Sequence, residues 1–449
     1  MTTLACVDLD DDGAGVTSPD DRPRVHVAGA LPGERVAASI VHVSQHAPEA
    51  WATLDAVETP SPDRRAPACA AFGRCGGCVL QHYAYDAQLT WKQARVARAL
   101  AGLDVTVAPC VASPRPLGYR NRSKLVAARA GGKLVLGAYA PRSHDVVDTT
   151  GCRIAEPPLD DTAAALAALL DGAGVVAYDE RTRTGQLRHV VLRVAHDGCV
   201  LATWVTARPL DDGAALARAF RAARPDIIGV VEHVNRSAGN AIFDGGGDAD
   251  TVLDGAASID DQLAIDGRPL WLRLSAGAFF QANRDVAALA YAAIARTLAV
   301  RSGERVVDAY CGAGGIALAL AGDAGEVIGI EAHAGAVADA TASAALNGVT
   351  NARFVTGDVA RALGALAISR ADVVVVNPPR KGCDAAVLSD VVRLVPRAIA
   401  YLSCDPDTLA RDLAVLAGHG YHARTVTPFD MLPHTPHVEA LAVLARDPR

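Results

Sequence analysis

From about residue 281 to the carboxyl end, short apolar runs alternate with helical stretches, and this alternation restricts the fold more than any other feature of the chain. The runs are Arg305-Val-Val-Asp-Ala-Tyr310, Glu326-Val-Ile-Gly-Ile330, Ala352-Arg-Phe-Val355, Asp372-Val-Val-Val-Val376 and Ala398-Ile-Ala-Tyr-Leu402. Strands separated by helices build a doubly wound parallel sheet, because parallel neighbours need a crossover long enough to hold a helix. Such sheets bind ligands at the carboxyl ends of their strands. The residues just after each run are therefore the first candidates for chemistry.

Those residues are suited to it. Cys311-Gly-Ala-Gly-Gly315 follows the first run, where glycines let a ligand approach the backbone. Glu331 ends the second, where a carboxylate can bind ribose hydroxyls, and Thr356-Gly-Asp358 after the third can meet an adenine edge. The glycines and Glu331 would also serve a nicotinamide cofactor; the whole series of strand ends, Thr356-Gly-Asp358 included, is what separates it from S-adenosylmethionine (SAM). Asn377-Pro-Pro-Arg380 after the fourth run favours SAM. Its prolines fix the backbone and aim a carbonyl or side chain at the crevice, and it resembles a segment that many SAM methyltransferases carry and dehydrogenases do not. The fifth run ends in Ser403-Cys404-Asp405-Pro406, and Glu439 follows in His434-Thr-Pro-His-Val-Glu439. A thiol and a carboxylate there offer a nucleophile and a base. Beside a methyl donor they point to addition of Cys404 to C6 of a uracil ring, methylation of C5, and loss of the C5 proton to Glu439.

At 449 residues the chain has room for two to four domains. It has no apolar run long enough to span a bilayer and no signal peptide at its start, so a cytoplasmic protein without a membrane partner is expected. Residues 1–60 read as short strands broken by turns, the pattern of a small β-barrel. A proline-rich linker begins at Pro60, a long helix is expected over 83–100, and residues 114–275 mix strands with Ala/Leu helices such as 160–170. Net charge is -7, but residues 61–152 hold 13 basic and 5 acidic side chains, net +8. That block includes Tyr119-Arg-Asn-Arg-Ser-Lys124, a row of donors suited to a sugar–phosphate backbone.

Ten cysteines in a chain this long read as thiols with separate tasks rather than a disulfide scaffold. Cys69, Cys75 and Cys78, spaced by glycines, lie in the basic block, with Cys152 downstream. By spacing alone, structural zinc and an iron–sulfur cluster are equal alternatives. Cys311 and Cys383 read as packing; Cys6, Cys110 and Cys199 carry no assignment.

Five motifs in order resemble the uracil-C5 RNA methyltransferase family over nearly the whole chain: Ser275-Ala-Gly-Ala-Phe-Phe-Gln281-Ala-Asn283, Asp308-Ala-Tyr-Cys-Gly-Ala-Gly314, Asn377-Pro-Pro-Arg-Lys-Gly382, Ser403-Cys-Asp-Pro406, and Phe429-Asp-Met-Leu-Pro-His-Thr435 with Glu439. The resemblance implies an α/β protein in three parts. Residues 279–449 form a Rossmann-like SAM methyltransferase domain, and residues 1–60 an OB-like RNA-binding barrel of TRAM type. Residues 61–278 form a central α+β iron–sulfur and RNA-binding domain, whose stretch 81–113 packs on the catalytic part. It implies that Gln281, Tyr310, Glu331, Asp358 and Asn377 contact SAM, that Cys404 is nucleophile and Glu439 base, and that Cys69, Cys75, Cys78 and Cys152 hold a [4Fe–4S] cluster. The expected product is 5-methyluridine in structured RNA, 23S rRNA ahead of tRNA, made by a monomer. Several family members have aspartate where this chain has Asn377, so no carboxylate acts at that position. A non-catalytic RNA-binding protein that keeps the fold, and a nicotinamide-dependent oxidoreductase, are the readings of other classes.

Overall fold

The computed structural model describes residues 1–449 except 19, 22, 238, 240, 244–249 and 447–449. The chain opens with β1 (Thr2–Ala5), β2 (Asp8–Leu9), β3 (Gly15–Val16), β4 (Arg24–Val27), β5 (Arg35–Val43) and β6 (Glu49–Thr59). These form one six-stranded sheet in the order β1-β5-β6-β4-β3-β2, in which only β4 and β6 run parallel. Val25 and Val27, Val36 and Ala38, and Ala50 and Ala52 alternate into a small shared core, as the period of two requires. The linker is tied to this sheet by Arg64, whose guanidinium meets the buried Glu34 carboxylate at 2.7 Å.

Two elements follow, α1 (Tyr85–Ala99) and β7 (Thr106–Val107). A seven-stranded sheet comes next, with two helices on one face. Its elements are β8 (Arg122–Ala130), β9 (Lys133–Tyr139), β10 (Val146–Asp148), α2 (Pro157–Gly172), β11 (Leu187–Val194), β12 (Val200–Thr206), α3 (Gly213–Ala223), β13 (Ile227–Val234) and β14 (Thr251–Gly255). Pro157 starts α2 at a position that needs no N–H partner. Leu159, Leu166 and Leu170 of α2 and Phe220 of α3 meet Leu192 and Trp204 of the sheet in a continuous core.

The remainder is hairpin β15 (Ser258–Ile265) and β16 (Arg268–Ser275), then α4 (Arg284–Leu298), β17 (Arg305–Ala309), α5 (Gly315–Ala321), β18 (Glu326–Glu331), α6 (Ala334–Leu346), β19 (Ala352–Thr356), α7 (Val359–Ala365), β20 (Val373–Val376), α8 (Ala385–Arg393), β21 (Ala398–Ser403), α9 (Pro406–Gly418), β22 (Tyr421–Phe429) and β23 (Glu439–Arg446). Eight strands share a sheet in the order β19-β18-β17-β20-β21-β23-β22-β7. The first five are parallel; β23 runs antiparallel to both β21 and β22. Val373 to Val376 are all buried, as expected of a parallel strand covered by helices on both faces. Strand order reverses between β17 and β20, which places the crevice of such folds there.

Earlier parts of the chain complete this sheet. Strand β7 pairs with β22, and Val96 and Leu100 at the end of α1 share a core with Val307, Ile399 and Leu409. The outer edge of β16 is capped by side chains of α6 and the residue after it: Asn347, Ser343 and Asp339 accept from the N–H groups of Trp271, Arg273 and Ser275 at 3.0, 2.9 and 2.9 Å. Those acceptors satisfy an edge that would otherwise be left unpaired. Among the described residues no helix is long and apolar enough to cross a membrane.

The loop before Glu439 is held from several sides. Lys92 of α1 is fully buried; its ammonium pairs with Asp430 and donates to the Leu432 carbonyl at 3.1 Å. Gln88 accepts from His434 N–H at 2.9 Å, and the Tyr119 hydroxyl donates to the Pro433 carbonyl at 3.2 Å. His434 sits at φ +65°, a left-handed conformation that these bonds help hold. Removing one member of a buried ion pair leaves an uncompensated charge. Lys92→Met is therefore expected to lower stability by about 3–5 kcal/mol in urea unfolding, and adding Asp430→Asn to recover part of that loss.

Candidate active site

Parallel pairing brings the sequence candidates to one edge. Tyr310, Glu331, Asp358, Asn377 and Cys404 lie at or just beyond the carboxyl ends of β17, β18, β19, β20 and β21. Tyr310 takes the left-handed conformation at φ +65°, and Gly312 and Gly314 do the same at +53° and +86°, turning the chain sharply from β17 into α5. The space beside this turn is filled: a Cβ on Gly315 would come within 2.8 Å of the Tyr291 ring. Glu331 braces the turn, accepting from Gly312 N–H at 3.1 Å and His333 N–H at 2.9 Å. Asp358 caps α7 by accepting from Arg361 N–H at 3.1 Å. Gln281 is buried on the connection from β16 to α4, where its main-chain carbonyl accepts from the Asn121 amide at 3.1 Å. That bond joins the Tyr-Arg-Asn-Arg segment of the basic block to the loop carrying Gln281.

The catalytic candidates come together through the antiparallel part of the sheet. Ser403 pairs with Ala440, so Cys404, the next residue, emerges opposite Glu439, the first residue of β23. The chain turns away immediately because Asp405 caps α9, accepting from Asp407 and Thr408 N–H at 3.1 and 2.9 Å, with Pro406 in the first turn. Burial pushes the Cys404 thiol up to about 11, the Glu439 charge adds to this, and Arg380 opposes it. Burial likewise lifts the Glu439 carboxyl to about 7, again opposed by Arg380. A carboxyl titrating near neutrality is poised for proton transfer. A neutral thiol needs further positive charge beside it before it attacks.

Two groups here carry no role in the sequence reading. Arg380 appears there only as part of its motif; the structure sets its charge against both Cys404 and Glu439. Asp308 is fully buried in β17, its carboxyl is lifted to about 7 by burial, and one oxygen accepts from Ala317 N–H of α5 at 2.9 Å. An acidic residue inside an apolar strand is unusual enough to have been a signal.

Cys69, Cys75, Cys78 and Cys152 line one cavity of about 630 Å³ together with Arg120 and Gln81. Burial raises both Cys75 and Cys78, and the charge of Cys152 raises each further. The Cys75 sulfur accepts from Gly77 N–H at 3.4 Å. Among the described residues, no three His, Cys, Asp or Glu side chains close to metal-holding spacing. Cys311 and Cys383 are both buried, and Cys383 accepts from the Tyr401 hydroxyl at 3.6 Å, in keeping with packing.

A model of the tRNA (uracil-5-)-methyltransferase family matches residues 84–447. An uncharacterized RNA methyltransferase of Geobacter sulfurreducens is 39% identical over 455 positions, covering 99% of this chain and 90% of the relative. Another, of Halalkalibacterium halodurans, is 37% identical, covering 97% and 95%. Among solved structures, the Pyrococcus abyssi tRNA (uracil-54, C5)-methyltransferase in complex with S-adenosyl-L-homocysteine is similar in fold, with a TM-score of 0.77 at 24% identity over 99% of this chain and 100% of that one. The chain belongs to the tRNA (uracil-5-)-methyltransferase family and is an RNA methyltransferase.

Proposed function

We propose that the protein makes 5-methyluridine in 23S rRNA, using SAM and a covalent bond between Cys404 and C6 of the target uracil. The observation that carries this reading is the register that sets Cys404 opposite Glu439 beside the strand ends of a Rossmann-like sheet. Gln281, Tyr310, Glu331, Asp358 and Asn377 would hold SAM, which supplies an electrophilic methyl group when bound. The Cys404 thiolate adds to C6, pushing electrons onto C5 and the adjoining carbonyl oxygen. C5 would then take the methyl group as its bond to the sulfonium sulfur breaks, the electron pair staying on sulfur and the neutral thioether leaving. Glu439 removes the C5 proton, and that electron pair re-forms the C5–C6 double bond as the C6–S bond breaks. The target uridine must leave its stack to reach the two side chains.

We read the cysteine-lined cavity as the seat of a [4Fe–4S] cluster held by Cys69, Cys75, Cys78 and Cys152; four thiols from two chain segments line this one space, and binding would have to draw them together, since they do not stand at metal-holding spacing among the described residues. Bound there, the cluster would crosslink the segment around 69–78 to the loop at Cys152; the methyl transfer itself calls for no redox step. The amino-terminal six-stranded sheet is read as a TRAM-like RNA-binding barrel. Together these features favour rRNA. The family's own description and its Pyrococcus abyssi structure name tRNA, and this supports tRNA as the second substrate reading. Mapping 5-methyluridine in rRNA and tRNA from a deletion strain separates them: loss from 23S rRNA is expected, and loss confined to tRNA would overturn the rRNA assignment.

Cys404→Ala is expected to bind RNA and SAM but form neither adduct nor product. Glu439→Gln should lower turnover by about 10²–10⁴-fold and accumulate a covalent RNA–protein complex that survives a denaturing gel. In the parent enzyme, the Glu439 carboxyl is protonated below about pH 7 and gains its base form as pH rises through that value. The adduct should therefore build up near pH 6 and clear faster near pH 8, measured by rapid quench. Protein purified without oxygen should be brown, absorb near ~400 nm and hold about four iron atoms. Chelation or Cys78→Ser should remove both signals, whereas stoichiometric zinc would contradict the cluster.

A further inference from the structure

The loop carrying Arg380 reaches all three segments of the site. Its main-chain carbonyl accepts from the Thr408 hydroxyl at 3.1 Å, which ties it to the helix that starts just after Cys404. Its guanidinium lies 3.0 and 3.2 Å from the two ring nitrogens of His437, two residues before Glu439. Arginine only donates, so His437 must offer an unprotonated nitrogen. Burial, helped by Arg380, Lys92 and Arg120 and opposed by Asp12, holds His437 below the usual histidine range and so keeps it neutral. Among the described residues no carboxylate lies within ion-pair distance of Arg380, and the side chain is exposed.

We infer that Arg380, held in place by neutral His437, is a positioning residue whose charge promotes the thiolate of Cys404 while keeping Glu439 usable as a base. This rests on the proposed covalent reaction, and it adds the source of the positive charge that a buried thiol beside a carboxylate needs. The charges facing Cys404 are Glu439, Asp405 and Arg380, and of these Arg380 alone favours the thiolate. Arg380 is also the charge facing Glu439, whose polar neighbours include Cys404 and Tyr291. The thiol should titrate higher without Arg380, and Glu439 should remain protonated to higher pH.

The test reads the thiol directly. The folded protein, free of RNA, is alkylated with iodoacetamide across pH 7–11, and the Cys404 peptide is quantified by mass spectrometry in the parent, Arg380→Gln, Arg380→Lys and His437→Gln proteins. Arg380→Gln should shift the alkylation profile upward by about one pH unit or more and slow adduct formation at pH 7 about tenfold or more. Arg380→Lys should recover most of both effects, and His437→Gln should give a smaller shift. An unchanged Cys404 profile in a folded Arg380→Gln protein would overturn the inference, as would a loss of activity equal at every pH. If Arg380→Gln fails to fold, an Arg380→Lys profile displaced as far as that of His437→Gln also overturns it. Because alkylation needs no substrate, failure of the methylation reading appears separately, as a parent enzyme inactive on uridine.

Discussion

The site depends on one reversal of strand direction. Five parallel strands, β19, β18, β17, β20 and β21, deliver loops to a single edge, but those loops alone would leave the Cys404 thiol without a facing carboxylate. Strand β23 enters antiparallel beside β21 with Ser403 opposite Ala440, and backbone hydrogen bonds thereby bring Glu439 to Cys404. A slip of one residue in that ladder would turn the carboxylate to the other face of the sheet. The register is secured at both ends of β23. Its outer neighbour β22 is itself paired to β7, and the loop before Glu439 is pinned through Lys92, Gln88 and Tyr119. Residues far away in sequence thus determine how two residues 35 positions apart are set opposite each other.

The same enclosure explains the electrostatics. Shutting out water raises both the thiol, to about 11, and the carboxyl, to about 7, and each negative form opposes the other. A carboxyl so placed would suit a base at neutral pH, while the thiol proposed as nucleophile rests protonated. In the proposed reaction positive charge would resolve the conflict, and among the described residues Arg380 is the cation that opposes both shifts. A sulfonium arriving with the methyl donor would add to it.

The catalytic sheet was legible because strands buried on both faces appear as unbroken apolar runs, and Val373–Val376 is the plainest case. Loop residues at strand ends were legible through their chemistry: glycines at the turn, prolines after β20, a thiol before Pro406. The helix expected over 83–100 runs Tyr85–Ala99, and the one over 160–170 lies within Pro157–Gly172. Contacts between distant segments were not legible. Nothing local marks Thr106–Val107 as the edge strand of a sheet formed by residues after 305, or Lys92 as the partner of Asp430. Nothing local in Ser258–Ser275 marks the edge of that hairpin as resting on α6. The role proposed for Arg380 was hidden for a similar reason: it depends on what the side chain faces, not on its neighbours along the chain.

The most direct measurement uses RNA in which the target uridine is replaced by 5-fluorouridine. Fluorine at C5 cannot leave as a proton, so after methyl transfer Glu439 has nothing to remove and the complex stalls. Peptide mass spectrometry should then find the methylated fluorouracil attached to the peptide containing Cys404 and to no other cysteine. Attachment to a different residue, or product formed with no adduct, would contradict the pairing of Cys404 with Glu439 as nucleophile and base.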